Sequence, residues 1–153
     1  AALLVGQGGS GKSTTALHIA VSLMRDGACV ATLDLDARQG TLSRYIENRA
    51  NYSAKKGLDL PMPLHTPVMI STLNDRREAE ADERERLAAA LEPAVGAADF
   101  VIVDTPGSDT HLSRLAHTWA DTLLTPLNDS FIDLDLLARV DPDTLKIVRP
   151  SIY

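Results

Sequence analysis

Gly6-Gln7-Gly8-Gly9-Ser10-Gly11-Lys12-Ser13 is the stretch that decides the fold of this chain. It matches the phosphate-binding pattern G-x-x-x-x-G-K-[ST] at every fixed position. An apolar run, residues 1–5, precedes it, and a helical pattern begins at Lys12. Because strand–loop–helix order separates a true phosphate loop from a chance glycine-rich turn, the sequence predicts a P-loop that binds a nucleoside triphosphate with magnesium.

The residue types of this loop suit a polyanionic ligand. Its glycines lack a Cβ, so the backbone can curl and point successive N–H groups inward. In such loops the Lys12 position bridges the β- and γ-phosphates, the Ser13 hydroxyl ligates magnesium, and Thr14 can reach the α-phosphate. We therefore predict a nucleotide-binding set of Gln7, Gly8, Gly9, Ser10, Gly11, Lys12, Ser13 and Thr14.

Carboxylates follow two further apolar runs. Residues 29–33 end in Asp34-Leu35-Asp36, and Phe100-Val101-Ile102-Val103 is followed by Asp104. Open α/β sheets bind their ligands at the carboxyl ends of strands. An Asp after four apolar residues is the Walker B form, whose carboxylate holds magnesium, usually through a water. Asp104 is therefore predicted to serve the metal, whereas Asp34 and Asp36 could also be ordinary capping carboxylates.

Composition narrows the class of protein. The chain has 153 residues, of which 44% are hydrophobic and 24% charged, and its net charge of −6 gives no support for nucleic-acid binding. The single cysteine, Cys29, falls in a predicted buried strand, which suits a reducing cytoplasm. We recognise no secretory signal or membrane-spanning run, and the four histidines share no metal-ligand spacing.

Strand and helix patterns alternate along the chain, which predicts an α/β fold with a mostly parallel sheet flanked by helices. The predicted strands are residues 2–5, 29–33, 68–71, 100–103 and 122–125. The predicted helices are residues 12–26, 41–56, 74–95 and 110–119, with a short helix after Phe131. Three prolines predict a loop or an extended connector over residues 58–67. We expect residues 1–153 to be one P-loop ATPase domain, the N-terminal part of a longer one.

Several stretches resemble the ParA/MinD group of deviant-Walker ATPases and, within it, the MipZ family of ATPases that position the division plane. The resemblance covers nearly the whole chain, and its most specific part runs from Asp121 to Asp143. The resembling stretches are residues 34–36 with Arg38-Gln39, and residues 104–109, 114–117, 120–121, 125–131, 140–145 and 149–153.

The resemblance implies a cytoplasmic, nucleoid-associated ATPase that binds ATP and Mg²⁺ and hydrolyses ATP slowly. It implies that Lys12 contacts phosphates, that Asp36 orients the attacking water, and that Ser13, Asp34 and Asp104 support magnesium. Residues 104–109 would sense the γ-phosphate. The implied partners are a second copy in an ATP-dependent homodimer, a ParB-like protein, FtsZ, and nonspecific DNA through segments that continue beyond this stretch in relatives.

Other functions stay open at this point. An ordinary ParA-type partition ATPase would use the same ATP-dependent switch to segregate a plasmid or chromosome. A metabolic P-loop ligase of the dethiobiotin or cobyrinate type would need an acceptor pocket, and a catalytically silent scaffold would bind nucleotide without turnover. Iron-protein relatives are disfavoured because they need bridging cysteines and Cys29 is predicted to be buried.

Gln7 stands where the resembled family carries a signature lysine that reaches across the dimer to the partner's phosphates. A cation supplied in trans, like an arginine finger, can contribute roughly 10³–10⁵ in rate. We therefore predict weak or altered dimer-dependent hydrolysis, and we expect Gln7→Lys to change ATP turnover and dimerisation. Unchanged turnover and unchanged dimerisation in that variant would contradict the prediction.

Overall fold

The computed structural model describes residues 2–4, 10–126, 138–141, 143–144 and 146–150. Its main sheet has five strands in the order β3-β2-β4-β1-β5, and every neighbouring pair is parallel. The strands are β1 (Ala2–Leu4), β2 (Val30–Asp34), β3 (Leu64–Pro67), β4 (Phe100–Asp104) and β5 (Thr122–Leu124). The predicted α/β fold with a parallel sheet is confirmed.

Four helices alternate with these strands along the described part of the chain. They are α1 (Lys12–Arg25), α2 (Thr41–Lys56), α3 (Arg76–Ala97) and α4 (His111–Trp119). A separate two-stranded antiparallel sheet pairs β6 (Ala138–Val140) with β7 (Ile147–Pro150), which the sequence did not predict. The short helix predicted after Phe131 lies outside the described residues.

Alternation along β2 and β4 assigns each face of the sheet to a pair of helices. Apolar residues of α3 and α4 pack with the odd-numbered positions of both strands, such as Leu33 and Val103. Residues of α1 and α2 pack with the even-numbered positions Val30 and Ile102. Because strand side chains alternate faces, Asp34 and Asp104 belong to the face that α1 and α2 cover.

Two glycines at helix ends require the left-handed region of backbone space. Gly11 begins α1 with φ +89°, and Gly57 ends α2 with φ +62°. A Cβ makes this region costly, so glycine is favoured at both positions. The bounds of α2 agree with those predicted from the sequence.

The third strand was predicted at the wrong place. Residues 64–67 form β3, which pairs with β2, whereas residues 68–71 are not in a strand. Residues 58–67 were predicted to be a loop or an extended connector because of their prolines. Pro67 is tolerated because β3 is an edge strand. Leu64 is exposed and His65 half-buried, so the strand carries no alternating apolar pattern to reveal it.

Cys29 is exposed, so its predicted burial was wrong. The residue precedes β2, whose first residue is Val30, and its backbone N–H donates to the Asp99 carboxylate at 2.8 Å. It therefore lies at the amino end of β2, opposite the edge that carries Asp34. Burial of Cys29 therefore gives no reason to disfavour iron-protein relatives.

Candidate functional site

Three parallel strands bring their carboxyl ends to one edge of the sheet. The register places Asp34 beside Asp104, and Asp104 beside Leu4 of β1. Neighbouring strands lie about 4.8 Å apart, so the two carboxylates start from adjacent backbone positions. The sequence predicted this convergence from the strand ends alone.

A cleft of about 550 Å³ opens at this edge. It is lined by the start of α1, the loop after β2 and the loop after β4; the lining residues are Gly11, Lys12, Ser13, Thr14, Asp36, Gln39, Thr41, Thr105, Pro106, Gly107 and Ser108. A hollow of about 380 Å³ along α1 shares no residue with the predicted site. The cleft is therefore where the predicted chemical groups meet.

Lys12 is buried at the first position of α1. Burial lowers the pKa of its ammonium, while the nearby charges of Asp104 and Asp36 oppose that decrease. A lysine at a helix N-terminus adds positive charge where the helix dipole is already positive. This end of the cleft is therefore suited to an anion.

Asp104 has the most unusual environment in the site. Its side chain is almost fully buried, and neither carboxylate oxygen has a hydrogen-bond partner of ordinary geometry among the residues that the structure describes. Burial raises its pKa to about 6, and the charge of Asp34 adds to the rise. Ser13 lies close enough to lower this pKa somewhat, although the contact falls short of a well-formed hydrogen bond. A buried carboxylate of this kind is costly unless a cation joins it.

Asp36 lines the same cleft from the loop after β2. Partial burial raises the pKa of its carboxyl, the charge of Asp34 raises it further, and Lys12 opposes the rise. Its backbone N–H donates to Asp34 Oδ1 at 3.0 Å, and its carbonyl accepts from Gly40 N at 2.7 Å. The loop therefore holds Asp36 on both sides.

Asp34 is used differently from Asp104. Its Oδ2 accepts from the Ser43 backbone N–H at 3.1 Å and from Ser43 Oγ at 2.7 Å, while Oδ1 accepts from Asp36 N. Ser43 is in the first turn of α2, so Asp34 caps that helix from a neighbouring strand. The capping role considered from the sequence is therefore present.

Two polar contacts at this site were not predicted from the sequence. His65 Nε2 lies 2.9 Å from Ser43 Oγ, which in turn contacts Asp34. Tyr45 of α2 places its hydroxyl 3.4 Å from Thr14 Oγ1. His65 was missed because its strand was missed, whereas Tyr45 could have been found by projecting α2 as a helix beside the P-loop.

The structure brings Gly11 through Thr14 and Asp36 together in the cleft, at the edge of the sheet that carries Asp34 and Asp104. Ser10 is not among the residues that line the cleft. Gln7, Gly8 and Gly9 lie outside the described residues. The described part of the chain has no cluster of three or more histidine, cysteine or acidic residues that could hold a metal. Mg²⁺ usually takes one or two carboxylates and completes its shell with phosphates and waters. Asp104 and Ser13 fit that pattern.

The family was identified by comparison with known proteins. The model of the family "ATPase MipZ" matches residues 3–153. The chain belongs to the MipZ ATPase family. A curated relative, an iron-sulfur cluster carrier protein of Deinococcus radiodurans, is 29% identical over 166 aligned residues, which cover 97% of this chain and 47% of the relative.

Solved structures share the fold at low sequence identity. Apo McdA from Cyanthece is 23% identical, with a TM-score of 0.61 over 88% of this chain and 60% of McdA. A plasmid partition protein from Borrelia burgdorferi is 16% identical, with a TM-score of 0.57 over 88% of this chain and 67% of that one. A second Borrelia burgdorferi structure, bound to AMPPNP, is 17% identical, with a TM-score of 0.61 and 65% of its length covered.

The MipZ-family chain thus spans about half the length of the curated relative and about three-fifths to two-thirds of these structures. None of the helices in the described ranges is both long enough and apolar enough to cross a bilayer.

We predict that Asp104→Asn stabilises the nucleotide-free protein and weakens magnesium-dependent nucleotide binding. The rise in pKa from 3.8 to about 6 corresponds to roughly 3 kcal/mol against the charged form. This net shift already includes the attraction to Lys12. Desolvation of the buried amide that replaces the carboxylate reduces the gain, so we expect about 1–3 kcal/mol in the free energy of unfolding at pH 8. Urea denaturation and titration with nucleotide and Mg²⁺ measure the two effects.

The sign of this effect fixes its pH dependence. The folded pKa lies above the unfolded one, so the folded protein binds the extra proton and its stability falls as pH rises from about 4 to 6. The gain from Asp104→Asn should therefore vanish below about pH 4. Asp59→Asn, which replaces an exposed carboxylate, is the control. Equal stability of Asp104→Asn and wild type at pH 8 would contradict the prediction.

Proposed function

We propose that residues 1–153 form one P-loop domain of an ATPase that works as an ATP-dependent dimerisation switch. The observation that carries the proposal is Asp104, a buried carboxylate with no hydrogen-bond partner in the described part of the chain, at the edge that also presents Lys12 and Ser13. A magnesium–triphosphate pair would satisfy all three groups. Membership of a family of ATPases supports the same conclusion.

Each side chain has a defined task in this proposal. Lys12 would neutralise charge on the β- and γ-phosphates, and Thr14 would bind the α-phosphate. Ser13 and Asp104 would hold magnesium, with Asp34 supporting them at the adjacent register position. Magnesium would neutralise charge that develops on the transferred phosphoryl group. Gln7, Gly8, Gly9, Ser10 and Gly11 would supply the phosphate cradle.

Asp36 is proposed to orient the attacking water. It lines the cleft without being fully buried, so water can reach its carboxylate. Its raised pKa makes it a better proton acceptor than an ordinary aspartate. Hydrogen bonds of its backbone N–H and carbonyl fix the point from which the Asp36 side chain enters the cleft.

For the biological role we propose positioning of the division site in the cytoplasm. In this role the ATP-bound homodimer would bind a ParB-like protein and nonspecific DNA of the nucleoid, and would keep FtsZ away from occupied regions. The match of the MipZ family model over residues 3–153 supports this role above the others.

The test of the switch is the solution mass of the protein with ATP and with ADP. We expect Asp36→Ala to bind ATP, to hydrolyse it at least about tenfold more slowly, and to accumulate as a dimer only with ATP. Wild type should return to the monomer as ATP is consumed. Asp59→Ala, at an exposed site, should behave like wild type.

A monomer in both nucleotide states with ATP still bound would contradict the switch. Absence of ATP binding by wild type would contradict the proposal as a whole. Turnover that rises with a small-molecule acceptor would favour a metabolic ligase.

The division role and a partition role differ in what the cell loses. We predict that deletion of the gene moves or multiplies the division site while DNA is still inherited by both daughters. Fluorescence microscopy of FtsZ and of the chromosome origin measures both. Correct division sites with unequal DNA inheritance would contradict the division role and favour a partition ATPase.

A further inference from the structure

Four side chains form a continuous line of contacts that begins on β2, passes through the edge strand β3 and α2, and ends at Asp34 in the candidate site. Thr32 Oγ1 lies 2.9 Å from His65 Nδ1, and His65 Nε2 lies 2.9 Å from Ser43 Oγ. Ser43 Oγ donates to Asp34 Oδ2 at 2.7 Å. The line joins β2, β3 and α2, and the residues at both of its ends, Thr32 and Asp34, are fully buried.

The direction of every proton in this line follows from the chemistry of its end. The Asp34 carboxylate accepts three hydrogen bonds, so the single proton of Ser43 Oγ is committed to it. Ser43 Oγ must then accept from His65 Nε2–H. Burial lowers the pKa of the His65 imidazole, which favours its neutral form. A neutral imidazole has one N–H, so Nδ1 accepts and Thr32 Oγ1 donates to it.

Asp34 connects this line of hydrogen bonds to Asp36. The Asp34 oxygen that does not face Ser43 accepts from the Asp36 backbone N–H at 3.0 Å. The same carboxylate caps the first turn of α2 through Ser43 N at 3.1 Å. Because hydrogen bonds in a line polarise one another, the orientation of the Asp34 carboxylate depends on the whole line. The position of Asp36 depends in turn on that orientation.

We propose that Thr32, His65 and Ser43 form a one-way hydrogen-bond relay that positions Asp36 through Asp34, with His65 as the neutral Nε2–H tautomer. The catalytic part of this inference rests on the proposed ATPase function. His65 is not among the residues that line the cleft, so it is a positioning residue. Its loss should reduce kcat while leaving the affinity for ATP, which depends on the start of α1, nearly unchanged.

The relay itself is tested on the nucleotide-free protein by NMR of ¹⁵N-labelled histidine. We expect the proton of His65 on Nε2, exchanging slowly with water, and we expect Ser43→Ala to speed that exchange. A proton on Nδ1, or protons on both nitrogens at pH 7.5, would overturn the relay. This readout does not depend on any activity of the protein.

The positioning role is tested by the steady-state kinetics of two replacements. His65→Leu removes both contacts, and we expect kcat to fall about tenfold or more with KM for ATP within about twofold. His65→Gln keeps an amide that can donate to Ser43 and accept from Thr32, and should retain kcat within about threefold. His117→Leu, which replaces an exposed histidine, is the control.

The outcomes separate this inference from the proposed function. Wild type that hydrolyses ATP together with His65→Leu of equal kcat would overturn the positioning role and leave the ATPase standing. An equal loss in His65→Leu and His65→Gln would show that only bulk packing is involved, and would also overturn it. Wild type without turnover would contradict the proposed function, while the tautomer measurement would still decide whether the relay exists.

Discussion

The buried carboxylate of Asp104 is the constraint on which the site depends. A buried carboxylate at the end of β4, with no hydrogen-bond partner among the described residues, disfavours the folded state unless it binds a cation or a proton. Its pKa of about 6 reflects that conflict, and Lys12 and Ser13 are the groups nearest to relieving it. The fold retains this unfavourable group at the one edge where the helix dipole of α1 and a cleft of about 550 Å³ also converge.

The alternation of side chains on two strands connects this constraint to the core. Odd positions of β2 and β4 are apolar and pack on α3 and α4, which secures the sheet. Even positions carry Thr32, Asp34 and Asp104 on the face that α1 and α2 cover. The same strands therefore present apolar side chains alone on one face, and on the other they combine a second apolar cluster, around Val30 and Ile102, with the polar residues of the site. A one-residue slip in register would exchange the two, so packing itself fixes the site.

Sequence patterns predicted correctly those features that depend on the apolar residues within individual strands and helices. The parallel sheet, the bounds of α2 and the convergence of Asp34 with Asp104 all followed from local apolar runs. β3 was misplaced because an edge strand needs no apolar alternation, and Cys29 was assigned to a buried strand that begins one residue later. The contacts of His65 could not be predicted, because they depend on the register between β3 and β2 and on the approach of α2.

The most direct measurement is a crystal structure of the protein with Mg²⁺ and AMPPNP. We expect the triphosphate at the start of α1, with Ser13 Oγ about 2.1 Å from the cation. The Asp104 carboxylate should accept a hydrogen bond from a metal-bound water or ligate the metal directly. A nucleotide bound elsewhere would contradict the proposed site. So would a cation that does not contact the Asp104 carboxylate directly or through a water.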